Sequence, residues 1–90
     1  MKNKYILVDS DSNGLYNKKT WISLNNISQF VLNKEGYIES ICSGGYVYNY
    51  LYDIDNKYIG KIKDLEVATP LELLMKIRLY GNLILEFDDI

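Results

Sequence analysis

Apolar and polar positions in this chain change places in short runs, and turn residues separate the runs. Ser12-Asn13-Gly14, Asn25-Asn26, residues 33–36, Ser43-Gly44-Gly45 and residues 53–56 punctuate the first two thirds of the sequence. A turn signal about every eight to twelve residues is the signature of an antiparallel meander. Strands are predicted near residues 4–9, 20–24, 27–32, 37–42, 46–52 and 57–62. The third also fits helical spacing, because Ile27, Phe30 and Val31 recur at intervals of three and four.

One helix is predicted over about 70–80. Thr69 is its N-cap, Pro70 takes the first helical position and Glu72 completes a capping box. Gly81 supplies the stop. Leu73, Leu74, Ile77 and Tyr80 form an apolar face, with Glu72 and Lys76 as an i, i+4 pair on the other side. Leu71, Met75 and Leu79 flank that polar stripe, so burial on more than one side is expected. Beyond Gly81, Leu83, Leu85 and Phe87 alternate with Ile84, Glu86 and Asp88, which reads as a closing strand. The fold class is therefore α+β: an antiparallel β-meander of five to seven strands, one amphipathic helix packed on the sheet, and a C-terminal strand. Residues 1–90 make one domain, and no internal repeat is evident.

Composition sharpens this picture. Hydrophobic residues make up 48% of the chain and the formal charge is -2, far from the range of disordered chains. Nine Tyr and many Ile and Leu favour sheet. Frequent Asn, Ile, Lys and Tyr beside a lone Arg, Arg78, is the bias of an AT-rich genome. Cys42 stands alone, so no internal disulfide forms, and an intracellular setting is expected. The apolar run from Tyr5 to Val8 is too short for a signal-peptide core, and no stretch approaches a transmembrane span. A cytoplasmic protein is expected.

Candidate chemistry is sparse. Asp9, Asp11, Asn13 and Gly14 occupy the first, third, fifth and sixth places of a calcium loop. The bidentate carboxylate needed at the twelfth place is replaced by Thr20, and Lys18 and Lys19 add opposing charge, so a turn is the better reading. Asp53, Asp55 and Asn56 read as a turn on the same grounds. There is no histidine, and Cys42 has no base beside it. No catalytic residue, cofactor or metal ligand is assigned, and the protein is not expected to be an enzyme.

The segment with most content is residues 45–52, Gly-Tyr-Val-Tyr-Asn-Tyr-Leu-Tyr. In a regular strand Tyr46, Tyr48, Tyr50 and Tyr52 share one face, and Val47, Asn49 and Leu51 the other. With an even hairpin loop over residues 53–56, the tyrosines stand opposite Lys57, Ile59 and Lys61. Val47 and Leu51 then join Tyr58, Gly60 and Ile62 in the core. Tyr46, Tyr48, Tyr50, Tyr52, Lys57 and Lys61 become the expected contact surface, with burial under the helix as the competing reading. A protein partner is favoured, because rigid amphipathic rings suit protein contacts and net acidity opposes polyanions. The class this suggests is a small inhibitor carried by a phage or mobile element and aimed at a host defence protein. The alternative is a module for single-stranded nucleic acid or a nucleotide, with bases stacked on the rings. Calcium binding or a small enzyme comes third. Leu71, Met75 and Leu79 are a candidate homodimer interface.

Overall fold

In the computed structural model the described residues are 2–10 and 19–88, with side chains from residue 3 onward. Asp11, Asn13 and Gly14 of the candidate calcium loop fall outside them. Among the described residues the elements are β1 (Lys2–Asp9), β2 (Thr20–Ser23), β3 (Gln29–Leu32), β4 (Ile38–Ser43), β5 (Tyr46–Tyr48), β6 (Tyr50–Tyr52), β7 (Tyr58–Lys61), α1 (Pro70–Leu79) and β8 (Leu85–Asp88). Short 3-10 turns cover Leu24–Asn26 and Ile62–Leu65. The protein is an α+β meander of two antiparallel sheets, with one helix and a C-terminal strand. Among the described residues no helix is long and apolar enough to cross a membrane.

The first sheet has the order β2-β1-β6-β7, with β8 also on β1. Tyr5 pairs with both Ser23 and Leu85, and Leu7 with both Trp21 and Tyr52. Strand β2 therefore holds one edge of β1, while β6 and β8 lie end to end along the other. Strand β1 is the hub because Ile6, Leu7 and Val8 are all buried, a run suited to a central strand. The second sheet is β3-β4-β5. Between the two sheets and α1 lies one core, built from Ile6, Val8, Ile22, Ile38, Ile41, Tyr48, Leu51, Ile62, Leu65, Val67, Leu73, Ile77 and Leu83.

Two of the hairpins are copies of one another, a repeat that the sequence pattern did not suggest. In residues 33–37, Asn33 N–H donates to Tyr37 O, Gly36 N–H donates to Asn33 O, and Asn33 Oδ1 accepts from the amides of Glu35 and Tyr37. Residues 53–57 repeat each of these bonds, with Asp53 in the role of Asn33 and Asn56 in that of Gly36. The position before the last needs positive φ, which Gly36 adopts at 87° and Asn56 at 70°. Each loop is followed by a bulge, so that Leu32 faces Ile38 and Tyr52 faces Tyr58, while Val31 faces Ser40 and Leu51 faces Gly60. The loop between closing partners thus has five residues, an odd number. The bulge then restores the even pairing of Tyr50 with Lys61.

The expected single strand over residues 46–52 divides at Asn49. Strand β5 pairs with β4 in the second sheet, and β6 pairs with β1 and β7 in the first. Asn49 stitches the crossing: its N–H donates to Asp9 O and its carbonyl accepts from Ile62 N–H. Its side-chain Oδ1 is buried without a hydrogen-bond partner among the described residues. This crossing breaks the period of two. Tyr48 and Leu51 are both buried, whereas Val47 is 49% exposed. Tyr48, expected on the outer surface, belongs to the core, and Val47, expected in the core, does not.

Helix α1 begins as its sequence directs. Thr69 Oγ1 accepts from Glu72 N–H at 3.2 Å, and Glu72 Oε2 reaches back to Ala68 N–H at 3.0 Å. The helix buries Leu73 and Ile77 and leaves Leu71, Met75 and Leu79 at 67%, 60% and 82% exposure. Tyr80, expected on the buried face, is exposed as well. Among the described residues the helix is covered on one side only.

Candidate interaction surface

The outer face of the first sheet is set by β1. Ile6 and Val8 point into the core, so Tyr5, Leu7 and Asp9 point the other way. Residues directly opposed across antiparallel strands share a face. Register therefore adds Trp21 on β2, Tyr50 and Tyr52 on β6, Tyr58 and Lys61 on β7, and Phe87 at the level of Asn3. Tyr58, Tyr52, Leu7 and Trp21 make a row across four strands. With strands about 4.8 Å apart and residues about 3.4 Å apart, the patch measures roughly 14 Å across by about 20 Å along, from Phe87 beside Asn3 to Tyr50 beside Asp9.

Ring geometry ties the patch together. The rings of Tyr52 and Tyr58 meet edge to face at 5.5 Å, and those of Tyr50 and Tyr58 lie 6.1 Å apart. Tyr5 and Phe87 form a second edge-to-face pair at 5.7 Å at the other end of β1. Leu7 is only 5% exposed although it stands on the face away from the core. Its cross-strand neighbours are Trp21 and Tyr52. Trp21, Tyr58 and Phe87 remain open to solvent.

Two ammonium groups cover ring faces. Lys19 Nζ stands 4.3 Å from the centroid of Tyr52, and Lys61 Nζ stands 5.8 Å from that of Tyr50. Lys19 is fixed further by donating to Asn56 Oδ1 at 2.6 Å. The Tyr52 hydroxyl donates to Asp9 Oδ2 at 3.5 Å. Burial first, then the Asp9 carboxylate and its hydrogen bond, then Tyr58, hold the Tyr52 phenol above its ordinary pKa. Burial, followed by Tyr46, raises that of Tyr48.

The expected surface is thus partly assembled and partly dispersed. Tyr50, Tyr52 and Lys61 are together. Tyr46 is exposed on the second sheet and Tyr48 lies beneath it in the core. Lys57 is exposed, closing the 53–57 loop through its backbone. The sequence reading missed Trp21, Tyr5, Phe87, Tyr58 and Lys19, which strand neighbours far apart in the chain bring in. Tyr58, expected in the core, is turned outward by the bulge at Ile59. Trp21 carried a local signal, since Trp21 and Ser23 alternate with the inward Ile22 on β2.

Other candidate groups are used structurally. The Asp53 carboxylate is occupied by backbone amides and by Asn82. Gly44 and Gly45, at φ 58° and 81°, form the two-residue turn between β4 and β5. No three or more His, Cys, Asp and Glu among the described residues are placed to hold a metal ion. Comparison with known proteins finds no matching family model, no similar curated protein and no similar solved structure.

Proposed function

We propose that this protein is a non-catalytic binding module that docks a protein partner on the outer face of its first sheet. The observation that carries this reading is the row Tyr58–Tyr52–Leu7–Trp21, in which the Tyr58 and Tyr52 rings meet edge to face and Lys19 covers Tyr52. Preordered aromatic rings lose little entropy on contact and supply large apolar area, the character of interface hot spots. The lysines and Asp9 at the margin provide the polar rim that steers and registers a partner.

Single-stranded nucleic acid is the less suited ligand. A stacking platform for bases needs cations directed at phosphate, and here Lys19 is directed at Tyr52 and Asn56. The Asp9 carboxylate stands at the patch margin opposite Tyr50, and the chain carries a net charge of -2. A module of this kind acts by covering its partner's working surface, as a small inhibitor of a host defence protein does.

The test compares wild type with a Tyr50→Ala, Tyr58→Ala double variant whose fold is confirmed by circular dichroism. Captured partner protein is expected to be lost with the variant, and hydrogen exchange in the wild-type complex is expected to slow on β6 and β7. Capture of nucleic acid that moderate salt releases would replace the reading with the alternative.

A further inference from the structure

We propose that the exposed stripe of α1 is the interface of an antiparallel homodimer with its two-fold axis at Met75. This inference is independent of the sheet-face reading and concerns the opposite side of the molecule. At about 100° per residue, Met75 lies about 160° around the helix from Leu73 and from Ile77, the two residues that α1 buries. Leu71 and Leu79 stand one turn to either side of it. Together these three are the most extended apolar surface that the helix leaves uncovered.

The stripe is its own complement. A two-fold interface requires that the patch fit itself, with each residue meeting its symmetry mate. Leu71 and Leu79 are equidistant from Met75, so in an antiparallel pair Leu71 meets Leu79 of the second copy and Met75 meets Met75. Charge selects the direction. Glu72 lies about 4.5 Å before Met75 along the axis and Lys76 about 1.5 Å after it, both on one flank. Antiparallel pairing brings like flanks together and sets Lys76 about 3 Å, measured along the axis, from Glu72 of the second copy. Two symmetry-related Lys76–Glu72 contacts are then attractive, against a single repulsive approach of Lys76 to its own copy, also about 3 Å along the axis. Arg78, on the other flank, is left about 9 Å along the axis from its own copy. Parallel pairing instead sets Lys76 about 3 Å along the axis from the second copy's Arg78, a like-charge contact.

The surroundings leave room for a second chain. A groove of about 300 Å³, lined by Glu66, Val67, Glu72, Met75, Lys76 and Leu79, runs beside the stripe on the Glu72 flank. It widens the apolar contact at Val67. Three side chains and a groove make a small interface, so the dimer forms at high concentration and dissociates on dilution.

Sedimentation equilibrium from about 1 µM to about 1 mM tests this directly. The mass is expected to rise from 10.5 kDa towards twice that value. Met75→Glu, which sets two carboxylates on the axis, is expected to keep the circular dichroism spectrum and remain monomeric. Lys76→Glu is expected to raise the dissociation constant about tenfold or more. In a Cys42→Ser background, Leu71→Cys chains mixed with Leu79→Cys chains are expected to crosslink unlike with unlike on oxidation. A wild type monomeric throughout, a dimer that persists in Met75→Glu, or like-with-like crosslinks would overturn the proposal.

Discussion

Asp53 and Asn82 hold the β6–β7 hairpin against the segment that follows the helix. Asn82 Nδ2 donates to Asp53 Oδ2 at 3.3 Å, and Asn82 O accepts from Ile54 N–H at 2.8 Å. Asp53 is 4% exposed, and its other oxygen accepts from the amides of Asp55 and Lys57. Removing this carboxylate strands three donors around a charge-assisted hub. Asp53→Ala is expected to lower stability by about 2–4 kcal/mol in urea unfolding. Asn33, which holds the matching loop, has no such link to a distant segment among the described residues, and Asn33→Ala is expected to cost about 1 kcal/mol.

The crossing at Asn49 inverts which tyrosines matter for stability. Tyr48→Ala empties a core site and is expected to cost about 3 kcal/mol or more. Tyr46→Ala, two residues away on an exposed side chain, is expected to cost less than about 1 kcal/mol. Equal losses in thermal or urea unfolding would mean that Tyr48 is not the buried member of the pair.

Glu66 ends the Ile62–Leu65 turn in the left-handed region, at φ 52°, with its N–H donating to Lys63 O. A side chain there carries a steric cost that glycine lacks. Glu66→Gly is expected to stabilise the protein by about 0.5–1 kcal/mol, less the greater freedom glycine gives the unfolded chain. The melting temperature reports the sign.

High pH should weaken the fold through its tyrosines. Tyr48 and Tyr52 have raised pKa values in the folded protein. Above the ordinary value of 10.0, the unfolded chain releases protons that the native state keeps. Their contribution is complete below that pH and is lost as pH rises through the folded values. A Tyr48→Phe, Tyr52→Phe double variant is expected to show a shallower loss of urea stability on the alkaline side than wild type.

Local grammar made much of this architecture legible. Thr69, Pro70 and Glu72 start α1 through contacts within five residues of one another, so no distant partner was needed to place it. Turn residues located most strands to within a residue or two, because backbone geometry at Gly36 and Gly44-Gly45 is a local requirement. The division of residues 46–52 between two sheets was not legible, since the period-two rule assumes one continuous strand. Only the partners of Asn49, Asp9 and Ile62, show that it is a crossing. The duplicated hairpin is not legible in the sequence because Asn33 and Asp53, and Gly36 and Asn56, meet the same geometric demand with different residues.

The candidate surface was legible only where it was contiguous in sequence. Tyr50, Tyr52 and Lys61 follow from one hairpin, but Trp21 and Phe87 reach the patch through β1. That strand's neighbours come from residues 20–23, 50–52 and 85–88. An alternating strand names the faces, and topology decides which side chains fill them.

Helix α1 packs on the inner side of the first sheet, beneath the same β1 whose other side carries the aromatic rings. Back-to-back joining along its outer ridge would point the two ring-covered sheets away from one another. Such an assembly would be two-headed: it would grip two targets, or two sites on one multimeric target, and gain its hold from tethering, with no new contact at either head.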